Sequence, residues 1–65
     1  MWAHERAKEI YALAGERIYR RYGECILNVL KTEYYDEYMN NIPIDKQAVM
    51  NVINGVLIAY GEEMI

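Results

Sequence analysis

The sequence predicts an all-α fold: one domain over residues 1–65, built as a small bundle of three helices at about 3–22, 24–40 and 46–62. Three observations carry that expectation. Apolar residues recur at steps of three and four through each segment. The only proline, Pro43, lies in Asn40-Asn41-Ile42-Pro43-Ile44-Asp45, which reads as a helix stop followed by a turn. Asp45 then opens a third periodic stretch as a good N-cap, with Ile44 before the cap and Val49 at the fourth helical position, the spacing of a hydrophobic staple.

In the first helix the stripe is Ala3, Ala7, Ile10, Ala14 and Ile18, with Tyr11 and Tyr22 beside it. Alanine at contact positions lets a second helix come close. Glu16 precedes Arg20 by four residues, the favourable order for a surface ion pair. Trp2 and Arg6 are one turn apart, so the guanidinium can stack on the indole.

Gly23 is the expected break between the first and second helices. Absorbing it into one long helix costs about 1 kcal/mol relative to alanine. In the second helix Ile26, Leu27, Leu30, Tyr34 and Tyr38 share an arc of about 120° at 3.6 residues per turn. A second, weakly apolar face runs through Cys25, Asn28, Thr32, Tyr35 and Met39.

The third helix holds the greasiest stretch. From Ala48 to Tyr60 only Asn51, Asn54 and Gly55 interrupt the apolar residues. A helix apolar nearly all round must be covered on most sides. A chain of 65 residues is expected to need a second chain for part of that cover. The rival for this stretch is a hairpin turning at Asn54-Gly55, a strong two-residue turn signal. Its strands would not alternate cleanly, and the Asp45 cap favours the helix.

Composition narrows the function classes. Hydrophobic residues make up 54 % and charged residues 26 %, which is globular rather than disordered. The single cysteine, Cys25, excludes an intrachain disulfide. A cytoplasmic protein is expected: no secretory signal is visible, and the 48–60 run is too short to span a bilayer. The net charge of −3 is unevenly placed. Residues 1–23 carry five basic and three acidic side chains, against two and seven in residues 24–65.

No motif specifies a reaction, and no enzyme, cofactor or metal is expected. Glu33 and Glu37 sit one turn apart beside Asp36, but a helical carboxylate site draws further ligands from a facing helix, and His4 is the only imidazole. Cys25 has Arg21 one turn before it, which favours a thiolate but supplies no base. Arg17, Arg20 and Arg21 form a basic patch interleaved with Tyr19 and Tyr22, a candidate phosphate contact. Macrodipole compensation and pairing with Glu16 explain it as well, and the following helix is acidic, so nucleic acid is the alternative rather than the expected partner.

Seven tyrosines and no phenylalanine suit half-buried positions and interfaces. The expected partner-binding residues are Tyr35, Asp36, Glu37 and Met39 with Glu62 and Glu63, meeting a larger protein target. The expected self-association strip is Asn51, Asn54, Gly55 and Ile58 on the third helix. Two such strips can hydrogen-bond through their asparagines and fix the register of a homodimer. Small, acidic, tyrosine-rich chains of this sort are similar in style to small phage- or mobile-element-encoded inhibitors. The expected role is accordingly that of a small regulatory, inhibitory or adaptor protein that acts by steric contact.

Overall fold

The computed structural model describes residues 1–65 and is all-helical, with no strand. Four helices follow in order: α1 (Trp2–Ala14), α2 (Glu16–Glu33), α3 (Tyr35–Met39) and α4 (Lys46–Ala59). The three longer ones pack mutually, and α3 is a short extension of α2. The expected small helical bundle is present, with its joints in different places.

The first joint is Gly15, not Gly23. Gly15 has φ 88° and ψ 169°, a region open essentially to glycine alone. Its N–H donates to the Tyr11 carbonyl at 2.9 Å, and its carbonyl accepts from the Tyr19 N–H at 3.0 Å. One residue thus closes α1 and opens α2, and the chain doubles back. Gly23 instead lies buried within α2. A β-carbon there would stand 3.0 Å from Cδ1 of Tyr19. That ring packs edge-on against Tyr11 across the helical hairpin, at 5.4 Å between centroids. Glycine marks a helix end or a close side-chain approach, and periodicity does not separate the two. The stripe from Ala3 to Ile18 continues across the hinge because both arms face one core.

The second joint is Tyr34, with φ −115° and ψ 48°, which kinks the expected 24–40 helix into α2 and α3. The stop at Asn40-Asn41 lies where the sequence places it. Asn41 adopts φ 55°, which asparagine tolerates. The Ile42 N–H donates back to the Glu37 carbonyl at 2.8 Å, closing α3.

Asp45 caps α4, its side chain accepting from the Ala48 N–H at 2.9 Å. The helix passes straight through Asn54-Gly55, so the hairpin alternative is excluded. It ends at Ala59, short of the expected 62, in a Schellman turn. Gly61 has φ 75°, and the Glu62 N–H reaches the Leu57 carbonyl at 2.8 Å. The last residues fold back along α4, where the Ile65 N–H donates to Oδ1 of Asn54 at 2.8 Å.

The core is Trp2, Ile10, Ile18, Tyr22, Ile26, Leu30, Val49, Val52, Ile53, Val56 and Leu57. Val49, Val52, Ile53, Val56 and Leu57 form an ordinary i, i+3, i+4, i+7, i+8 stripe, and a single chain covers all five. The expected shortfall of cover for these residues is therefore corrected. The excess hydrophobicity of the segment sits on its outer side, where Ile58 and Tyr60 are 58 % and 61 % exposed.

Candidate functional site

Two surfaces stand out once the core is accounted for: the projecting α3 and a groove between α2 and α4. The α3 helix buries none of its residues, yet it is firmly moored. Tyr38 packs edge-on against Trp2 at 5.5 Å. The Trp2 Nε1–H donates to the Ile42 carbonyl at 2.6 Å. Arg6 lies over the indole at 5.4 Å and the Lys31 ammonium over the Tyr38 ring at 5.3 Å. The stack Arg6–Trp2–Tyr38–Lys31 clamps α3 to the N-terminal end of α1. On its free side Tyr35 and Met39 are 58 % and 60 % exposed. They are one turn apart, with exposed Asp36 beside Tyr35 and half-buried Glu37 next in line. Neither acid has an ion-pair partner in the chain.

Glu62 does not join them. Its carboxylate accepts from the Tyr22 hydroxyl at 2.7 Å and from Nη2 of Arg17 at 3.2 Å. The Tyr22 hydrogen bond first, and the Arg17 contact next, hold its carboxyl below the ordinary range. The same contacts hold the Tyr22 hydroxyl and the Arg17 guanidinium in their protonated forms to higher pH. Tyr22 and Tyr34 are separated by about 18 Å of helix at 1.5 Å per residue. The expected partner-binding set therefore divides: Tyr35, Asp36, Glu37 and Met39 stay together at one end, while Glu62 serves as an internal clasp at the other. Glu63 is exposed beyond it in the tail.

The basic patch is largely spent inside the chain. Arg17 pairs with Glu62, Arg20 with Glu16 at 3.1 Å, and Arg21 lies over the Tyr22 ring at 5.8 Å. No group of three or more His, Cys, Asp or Glu side chains gathers in a way that could hold a metal ion. No helix is long and apolar enough to cross a membrane.

The expected self-association strip is only partly free. Oδ1 of Asn51 accepts from Nε2 of Gln47 at 2.9 Å, and Oδ1 of Asn54 is occupied by the Ile65 amide. Gly55 is exposed with open space where a side chain would be, and Ile58 faces outward. Asn51 and Gly55 instead edge a groove of about 450 Å³, walled on the other side by Cys25, Val29 and Glu33 and floored by Val52 and Val56. Sequence reasoning missed this groove. Its signal is the i+4 row Cys25, Val29 and Glu33, which shares Cys25 with the weakly apolar face and otherwise lies between that face and the core stripe.

No family model, curated protein or solved structure matches this chain.

Proposed function

We propose that this chain is a small cytoplasmic protein-binding module, without catalysis of its own, that acts by seating the free side of α3 in a site on a larger protein. Tyr35 and Met39 are the anchors; Asp36 and Glu37 select a target surface with basic rims. The observation that carries this reading is the mooring of α3. A five-residue helix with no buried residue is too short to hold its shape alone, yet the Trp2 stack fixes it while its two large apolar side chains face outward. Large exposed side chains on a pre-ordered support lose little entropy on binding. Steric occupation by such a knob suits an inhibitor or adaptor, in the manner of small phage-encoded regulators.

Against nucleic acid as the target stands the pairing of Arg17 and Arg20 with carboxylates. That pairing leaves one arginine of the three without an acidic partner, beside an acidic C-terminal half.

The test is capture from a lysate of the source cells by the immobilised chain, run beside a Tyr35→Ser, Met39→Ser variant of unchanged circular dichroism. A protein retained by the parent chain and lost from the variant supports the reading. Capture indifferent to both substitutions, or salt-sensitive retention of nucleic acid alone, would overturn it.

A further inference from the structure

We propose that the groove between α2 and α4 receives the same face of a second copy of this chain, as an antiparallel two-fold pair centred near position 27 of α2. The row Arg21, Cys25, Val29 and Glu33 runs along α2 for about 18 Å at 1.5 Å per residue; its last three members wall the groove, and Arg21 continues the row one turn beyond it. In order it offers a cation, two small apolar groups and a carboxylate. Read in the opposite direction it is its own complement. A two-fold axis at the middle sets Arg21 of each copy beside Glu33 of the other and places Cys25 against Val29 twice. A parallel pairing would oppose like charges at both ends, which is unfavourable.

Two further observations fit this occupant. Arg21 and Glu33 have no ion-pair partner within the chain, whereas Arg6, Arg17 and Arg20 each have one. Gly55 sits inside α4 at the opposite wall, where glycine weakens a helix. Nothing in the chain lies within 4 Å of the position its β-carbon would take, so no internal contact requires glycine there. With Ala59 one turn on, it keeps that wall low enough for a neighbouring helix to approach. A standard interface takes about 800 Å² from each partner, a large share of a 4399 Å² surface. One helical row and its groove form a small face, so a reversible pair at the weak end is expected, with a dissociation constant on the order of 0.1 mM. It uses neither Tyr35 nor Met39 and stands or falls apart from the α3 reading.

The test is sedimentation equilibrium on the full chain, with Arg21→Glu and Glu33→Arg variants. Both side chains are exposed, and Glu33→Arg places a cation at a helix C-terminus; Arg21→Glu removes a cation that lies over the Tyr22 ring, so circular dichroism and thermal unfolding are run first to verify that each variant keeps the parent fold. The parent chain is expected to dimerise reversibly. Each variant alone is expected to need about tenfold higher concentration, since both contacts become repulsive. An equimolar mixture of the two variants restores dimer, because each then supplies the charge the other lacks. A parent chain monomeric to about 1 mM, dimerisation unchanged by either substitution, or a mixture no better than its components would each overturn the proposal. Recovery of a foreign polypeptide in the groove of a monomeric parent chain counts against it likewise.

Discussion

The hydroxyl of Tyr22 donates to Oε2 of Glu62 at 2.7 Å, across 40 residues of sequence. This bond ties the second turn of α2 to the turn that ends α4, and Arg17, in the first turn, reaches the other oxygen of the same carboxylate. The clasp turns a terminal acid that would otherwise be solvated into a tertiary contact. Tyr60 packs on Tyr22 at 5.2 Å and shields one side of it.

The clasp predicts an acid limb in stability. Glu62 ionises below the ordinary 4.5 in the folded chain, because Tyr22 and then Arg17 favour its charged form. Its contribution is therefore complete above the ordinary value and is lost as pH falls through the lowered one. Urea unfolding between about pH 6 and pH 2 should show a stability loss that is smaller in Glu62→Gln, which keeps an acceptor for Tyr22 but has no charge to protonate. Identical pH profiles for the two proteins would contradict this assignment. At the alkaline end the sign reverses. Tyr22 keeps its proton above the ordinary 10.0, so its contribution is present below that value and lost as pH rises through the raised one.

The glycines separate by conformation. Gly15→Ala forces a side chain into a backbone region that disfavours it and should cost on the order of 1–3 kcal/mol. Gly55→Ala meets open space in a regular helix and should gain roughly 0.5–1 kcal/mol. In a chain of this size each kcal/mol moves Tm by roughly 4–8 °C. Thermal unfolding of the two variants should therefore bracket the parent. A destabilised Gly55→Ala monomer would mean that the helix is distorted there.

Trp2 is predicted to govern α3. Trp2→Phe keeps an aromatic ring in the stack but removes the donor to the Ile42 carbonyl, at a cost of about 0.5–1.5 kcal/mol. Trp2→Ala removes a buried ring and should cost about 3–5 kcal/mol. In Trp2→Phe, amide exchange should speed up around residues 38–42 while α2 and α4 stay protected. Uniform acceleration across the chain would show that α3 is not a separately moored unit.

Much of this architecture is legible in the residues. The Asp45 cap, the stop at Asn40-Asn41, the Glu16–Arg20 pair and the Trp2–Arg6 stack are local, so their chemistry acts within one or two turns. What the sequence hides is non-local. Gly15 and Gly23 offer the same local signal; only the packing of Tyr19 against Gly23 makes the second a helix-interior contact. The return of the tail to Asn54, and the recruitment of Glu62 by Tyr22, join residues brought near by the fold alone. Burial of the α4 stripe is misjudged for a related reason. Counting apolar residues exaggerates the area to be covered when several of them, Ile58 and Tyr60 among them, simply face out. The groove stays unseen because neither wall is remarkable until α2 and α4 are side by side.

Self-sufficiency of one chain underlies both surfaces, since the core closes without a partner. It is tested most directly by far-UV circular dichroism during thermal unfolding, at about 1 µM, well below the expected dimerisation range. The prediction is a monomer that keeps a spectrum near 77 % helix and melts cooperatively. A chain that loses its helical signal on dilution would show that Val49, Val52, Ile53, Val56 and Leu57 need a second molecule to cover them.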